Sequence, residues 1–254
     1  MEHFIVMIFN LHYKGHLPTY EGNPCWLEQR LNIFKKYCIN SFANQTDPNF
    51  HLLIYCDSTT PDPYKSELLE LESKYKFITI CWEFSKGNNY YEDTPQGPDI
   101  VKQWSQSFRS SILNNIKILI GEDPQEFICS RFENDDIPEV RYNEFVKLAH
   151  KEYDIISLAK GLYWNINTNE FLDSTFPTGP FISVKSTLDN FISPHEDQHH
   201  NYIKYRGGQP IITKENLWIQ LIHGDNIWNR IDRMPGNLIS PPPNEYLKTH
   251  FSYE

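Results

Sequence analysis

Short unbroken apolar runs alternate with segments whose apolar residues recur every three to four positions, the two periods that separate buried strands from amphipathic helices. The run His3-Phe4-Ile5-Val6-Met7-Ile8-Phe9 reads as a strand at about 3–9. A loop rich in Gly, Pro, His and Tyr follows, and Asn23-Pro24 then sets a capping residue before a proline and opens a helix. Its Leu27, Leu31, Phe34 and Cys38 share one buried face. Phe50-His51-Leu52-Leu53-Ile54-Tyr55-Cys56 is a second strand ending at Asp57, and Thr60-Pro61 opens a second helix with Leu68, Leu69 and Leu71. Phe77 to Trp82 is a third strand. A polar loop at about 85–99 precedes a long helix around 99–120 carrying Ile100, Trp104, Phe108, Ile112, Ile116 and Leu119. Glu126 to Phe132 is a fourth strand running into Glu133-Asn134-Asp135-Asp136, and Pro138 opens the helix after it.

Strands alternating with helices in this way build a mostly parallel sheet with helices on both faces, an α/β fold. Beyond about residue 152 the pattern loosens, with short strand candidates at 154–159, 162–166, 181–184 and 217–222. No repeat, low-complexity segment or linker divides the 254 residues, so a single domain with an irregular C-terminal half is expected. Ligands of open α/β sheets gather beyond the carboxyl ends of the strands. Asp57 and the 133–136 cluster both sit there.

Composition narrows the partners. Against 23 basic residues stand 33 acidic ones, a formal charge of −10, and no basic run is long enough to track a phosphate backbone, which disfavours nucleic acid. None of the five cysteines forms a Cys-x-x-Cys pair, so all five read as reduced core thiols of a cytoplasmic protein. The start lacks a basic leader, and no apolar run approaches the ~20 residues of a membrane span.

The acidic cluster has two readings. Residues two apart in an extended segment point the same way, so Glu133 and Asp135 can aim at one point and Asp136 at a neighbouring one. Carboxylates that meet repel unless a cation joins them, and hard ions such as Mn²⁺ or Mg²⁺ take oxygen ligands and complete their shell with phosphate and water. The other reading is a helix start, with Asp135 or Asp136 capping the helix opened by Pro138.

Ser130-Arg131-Phe132-Glu133-Asn134-Asp135-Asp136 resembles the strand-end Asp-x-Asp-Asp motif of the rhamnosyl transferase family and, more broadly, of GT-A glycosyltransferases. Also similar are Trp26-Leu27-Glu28-Gln29-Arg30-Leu31 with Phe34, Ser41 through Gln45-Thr46 with Phe50, Asp57 with Thr60-Pro61, and Trp218 through His223-Gly224-Asp225-Asn226. The resemblance implies a GT-A-like, Rossmann-like sheet whose first part, 1–136, holds a nucleotide sugar, while 137–254 forms the acceptor side. It implies a hexosyltransferase of polysaccharide biosynthesis that moves a sugar, L-rhamnose by the family name, from a dTDP-, UDP- or GDP-sugar to a glycan or glycolipid, without a transmembrane segment and compatibly with attachment at a membrane surface. Glu133, Asp135, Asp136 and His223 would hold Mn²⁺ or Mg²⁺; Glu133 departs from the family's usual Asp by one methylene. Asp57, Arg109, Arg131 and Asn134 would meet the nucleotide sugar, and Asp197, then Glu196, would be the general base of an inverting reaction. For the arginines the plainer role is neutralising the cluster, and for Glu196 and Asp197 it is favouring a helix start after Pro194.

His195-Glu196-Asp197-Gln198-His199 also fits the zinc-peptidase pattern, in which two histidines one helical turn apart bind Zn²⁺, with Glu215 as a third ligand. A non-catalytic carbohydrate-binding module is a third class, suggested by the 15% aromatic content. On the acceptor side Tyr163, Trp164 and Phe181 are candidates for stacking on sugar rings beside the Thr178-Gly179-Pro180 turn, and core packing is their plainer role.

Overall fold

A computed structural model of the chain describes residues 1–11, 24–83, 97–121, 126–223 and 231–253. The loop expected after the first strand and most of the one at about 85–99 lie outside these, as do Asn23, Gly224, Asp225, Asn226 and the side chains of Ile100 and Trp104. The N-terminal elements arrive in the expected order: β1 (Glu2–Ile8), α1 (Pro24–Ile33), β2 (His51–Asp57), α3 (Tyr64–Lys74), β3 (Ile78–Glu83), α4 (Gly97–Ile120) and β4 (Phe127–Glu133). Helix α1 continues through a π turn (Phe34–Cys38) into α2 (Ile39–Ala43).

β1 lies inside a seven-stranded sheet and pairs in parallel with both β2 and β4. Its alternating side chains explain the unbroken apolar run, because each face meets its own helix layer. Ile5, Met7 and Phe9 pack with Leu31, Phe34 and Phe42, while Phe4, Val6 and Ile8 pack with Phe108, Ile112 and Ile116 of α4. Each such side chain contributes about 1.5–3 kcal/mol on burial. Leu68 and Leu71 point inward from α3, whereas Leu69 lies on the outer side of the helix and is exposed.

The remaining strands are β5 (Asp136–Pro138), β6 (Ile155–Leu158), β7 (Lys160–Asn165), β8 (Glu170–Thr175), β9 (Ile182–Ser186), β10 (Gln209–Ile211), β11 (Trp218–Ile222) and β12 (Asn237–Ile239). The C-terminal part supplies β9, antiparallel to β4, together with β6 and β10, so residues on both sides of position 136 share one sheet. A second sheet runs β12-β8-β7-β11-β5. The chain leaves the first sheet at Glu133 and enters the second at Asp136, so the acidic cluster is the crossover between them. Asp136 therefore opens a strand, and the helix after Pro138, α5 (Tyr142–Ala149), starts later with no side-chain cap at Arg141. The capping reading of the cluster is corrected by this.

The three C-terminal aromatics are core. Tyr163, Trp164 and Phe181 are all buried; Phe181 stacks on Trp218 at 4.5 Å, and Trp164 on Phe171 at 5.1 Å. Gly161 on β7 lies under the Trp218 ring, where a Cβ would stand 2.1 Å from Cδ2. Gly161→Ala is therefore expected to lower stability by about 1–3 kcal/mol through overpacking, read as a lower urea midpoint at unchanged slope. An unchanged midpoint would show that β7 and the ring separate easily.

Four of the thiols, Cys38, Cys56, Cys81 and Cys129, are buried as expected; Cys25 on α1 is exposed. A buried polar thread runs under β1 and β4. His3 Nδ1–H donates to Asn143 Oδ1 at 2.6 Å, and Asn143 Nδ2 donates to two carbonyls, which fixes that oxygen as the acceptor. His3 Nε2 meets Ser130 Oγ at 2.7 Å, Ser130 meets Ser183 at 2.8 Å, and Ser183 meets His150 Nε2 at 2.8 Å.

Candidate functional site

Asp135 lies at the crossover, and three elements converge on it. β11 pairs antiparallel with β5, Gln220 opposite Asp136, and Leu221 N–H donates to the Asp135 carbonyl at 3.3 Å. Two residues further, His223 Nε2 comes within 3.1 Å of Asp135 Oδ2. From the other side α1 brings Arg30, whose Nη1 lies 2.5 Å from the same oxygen and 3.1 Å from His223 Nε2. All three side chains are nearly inaccessible to solvent. Burial by itself would push the Asp135 carboxyl up, but Arg30 and His223 hold it well below the usual carboxylate range.

The helix that carries Arg30 is fastened along the whole crossover. Cys38 Sγ donates to the Asn134 carbonyl at 3.4 Å, Ser41 Oγ to the Pro138 carbonyl, and Gln45 Nε2 to the Glu139 carbonyl at 2.8 Å. The π turn sits in this stretch, and such widened turns are common at functional sites. Arg30 and Ser41, both in the sequence motifs, thus reach the acidic segment from the helix, and Gln45 reaches it from just beyond the helix end. Arg30 itself was read from sequence only as part of a motif. A signal existed: it stands four residues after Trp26 on one helix face, and its guanidinium lies 5.4 Å from that ring.

The structure separates the other cluster members. Glu133 accepts from Arg131 Nε at 2.7 Å, both pointing to the same side of β4. Asp136 is fully buried against β11, with Gln220 Nε2 3.5 Å from its Oδ2; burial first, then Asp135 and Glu133, push its carboxyl well up. Asn134 donates to the carbonyls of Ile8 at 3.3 Å and Phe9 at 2.8 Å, tying the end of β1 to the crossover. Asp57 ends β2 and accepts from Thr59 N at 2.7 Å, a local turn. With β1 between β2 and β4, Asp57 and the cluster lie two strand spacings apart, about 10 Å.

Arg109 and the 196–197 pair form a second group. Arg109 Nε donates to the Phe191 carbonyl at 2.9 Å and stands 3.8 Å from Glu196 Oε2, rather than at the crossover. Arg206 Nη2 lies 3.4 Å from Glu196 Oε1 and 3.7 Å from Asp197 Oδ2. Asp197 Oδ1 accepts from Gln198 N and Asn201 Nδ2, both at 2.7 Å. Helix α6 spans His199–Tyr205, so Glu196 and Asp197 lie in the turn before it and not on a helix opened by Pro194. The same start corrects the zinc-peptidase reading. His195 precedes the helix and its Nε2–H donates to the Val6 carbonyl at 3.2 Å, while His199 Nδ1–H donates to Thr178 O. Glu215 pairs with Arg141 at 2.6 Å. Among the described residues no three His, Cys, Asp or Glu side chains are grouped to hold a metal ion, and no helix is long and apolar enough to cross a membrane.

Asp135 and His223 nevertheless suit a shared ion as a pair. An octahedral ion with bonds of about 2.1–2.2 Å separates adjacent ligands by about 3.0–3.1 Å, and Oδ2 and Nε2 are 3.1 Å apart. Two protein ligands leave the other positions to phosphate and water, the usual habit of Mg²⁺. Glu133 is bonded to Arg131, and Asp136 is buried beside Gln220.

A sequence model of the family described as "Putative rhamnosyl transferase" matches residues 19–93, which include α1 and Asp57 but not the acidic cluster. No curated protein sequence matches the chain. Among solved structures, TarS of S. aureus is 10% identical with a TM-score of 0.45, over 87% of this chain and 37% of TarS. Residues 1–349 of the same protein with UDP give 11% identity and a TM-score of 0.45, over 87% of this chain and 60% of that one. This chain thus spans less than two thirds of either, and at TM-scores below 0.5 the likeness carries no residue across.

Proposed function

We propose that this chain is a glycosyltransferase that takes a sugar, L-rhamnose by the family description, from a nucleotide-sugar donor bound at the Asp135–His223 crossover and passes it to a glycan hydroxyl. The observation that carries the proposal is the buried meeting of Asp135, His223 and Arg30 beyond the ends of the parallel strands, where α/β sheets bind ligands. The family match over 19–93 covers the helix that supplies Arg30 and the strand that ends in Asp57.

In this reading Asp135 Oδ2 and His223 Nε2 would hold Mn²⁺ or Mg²⁺, which would supply the positive charge that a leaving diphosphate needs. Asp57, across β1 from the cluster, is placed for the nucleoside end. Asp197 is the base that takes the acceptor proton in an inverting reaction. Arg131 faces both groups: it bonds Glu133, and its charge helps lower the pKa of His195 and His199 after burial has done most of that.

The test is thermal unfolding with Mn²⁺ and with UDP, GDP or dTDP, singly and together. Joint addition is expected to stabilise by about 3 kcal/mol at a hundredfold excess over the dissociation constant, a rise of about 6–12 °C for a chain of this size. Asp135→Asn should erase that rise. A panel in which no diphosphate acts with Mn²⁺, and no nucleotide sugar is turned over, would sink the assignment.

A further inference from the structure

Arg30 stands where the ion of the preceding reading would stand. Its Nη1 faces the edge formed by Asp135 Oδ2, 2.5 Å away, and His223 Nε2, 3.1 Å away. The same Nε2 stands 3.1 Å from Asp135 Oδ2, so the edge offers one ring nitrogen and one carboxylate oxygen to the cation that occupies it. A guanidinium and a divalent ion cannot share so small an edge, because unit charges a few ångströms apart in a poorly solvated site repel by several kcal/mol. Nor is Arg30 a loose surface side chain: it is 8% exposed, lies 5.4 Å from the Trp26 ring, and its helix is bonded to the carbonyls of Asn134 and Pro138. Arginine is also the side chain whose planar fork best matches phosphate oxygens.

We propose that Arg30 is a diphosphate-binding residue that also serves as the resident cation of the Asp135–His223 edge. Without donor, its guanidinium holds the edge and keeps a divalent ion out. An arriving diphosphate draws the guanidinium to its own oxygens and brings the ion phosphate ligands, so metal and nucleotide enter together. This rests on the nucleotide-sugar reading above and adds the order and the coupling.

The experiment is calorimetric titration of Mn²⁺ alone, of UDP, GDP and dTDP alone, and of each with Mn²⁺, on wild type, Arg30→Gln, Arg30→Lys and Arg30→Gln/His223→Gln. Wild type should bind Mn²⁺ about tenfold more tightly with the preferred diphosphate than without it, and reciprocally. Arg30→Gln should bind Mn²⁺ alone about tenfold more tightly than wild type and the diphosphate alone about tenfold more weakly, each about 1.4 kcal/mol. The double variant should lose the gain in Mn²⁺ affinity, which locates the ion on His223. Arg30→Lys, with a shorter point charge, should fall between, and it decides the matter if circular dichroism shows Arg30→Gln unfolded. Arg30→Gln binding Mn²⁺ no better than wild type, or Arg30→Lys indistinguishable from wild type toward both ligands, would overturn the role of Arg30 while leaving joint binding in wild type to uphold the donor site. Wild type binding no diphosphate with or without Mn²⁺ would overturn both.

Discussion

Asp135→Asn is expected to cost about 3–5 kcal/mol of stability in urea unfolding at pH 7, whereas the neighbouring Asp136→Asn should stay within about 1 kcal/mol of wild type. The two carboxylates are adjacent in sequence and both buried, yet their surroundings shift them in opposite directions. Asp135 is ionised against Arg30 at 2.5 Å and His223 at 3.1 Å. Removing its charge leaves a guanidinium buried without its anion, the costly half of a broken buried pair. Burial and the charge of Asp135 push the Asp136 carboxyl well up, toward the neutral form, and asparagine copies that form in shape and charge beside Gln220. Equal losses at the two positions would mean that both are ionised and that the division of roles at the crossover is wrong.

Acid should unfold the protein well before its carboxylates explain it. His3 and His195 are lowered to about 3, and His150 to about 4, chiefly by burial; the Coulombic push of Lys147 on His3, Arg131 on His195 and Lys185 on His150 is secondary. All three are neutral in the fold and take up a proton near pH 6.5 once unfolded. Because the folded pKa is the lower one, their contribution is fully present above about pH 6.5 and is lost as pH falls toward about 3–4. Each gives a slope of up to about 1.4 kcal/mol per pH unit, together about 4, against a total stability of about 5–15 kcal/mol. Urea midpoints measured from pH 7 to 4.5 should fall steeply, and His150→Gln should flatten the decline by about a third. A decline confined to below pH 4 would assign it to carboxylates and remove the histidines from the account.

Much of the fold was legible because its first half obeys local rules. β1, β2 and β4 are apolar on both faces since each face meets a helix layer, and the helices show their inner stripe at three-to-four spacing. Strands β10 and β12 escaped for the opposite reason: they are three residues long, partly exposed and set by pairing with distant neighbours. Asp136–Pro138 looked like a helix start because an acidic pair before a proline usually is one. Antiparallel pairing with Trp218 to Gln220 overrode that local preference. The aromatics at 163, 164 and 181 could not be assigned to core or groove from sequence, because both want the same large flat rings.

The acidic cluster shows where the division falls. That carboxylates stand at the end of a buried strand, with a histidine closing a later one, follows from residue order and periodicity alone. Which carboxylate is charged, and what it touches, does not. Arg30 and His223 reach Asp135 across 105 and 88 residues, through the packing of one helix and the register of one strand pair. Glu133 goes to Arg131 and Asp136 into the core because the chain changes sheets between them, turning successive side chains to different surroundings. Propensity and periodicity act over a few residues, whereas burial and electrostatic partnership are properties of the packed molecule. The sequence on its own therefore determines which groups are available at the strand ends, and the tertiary structure decides which of them carry charge to a common point.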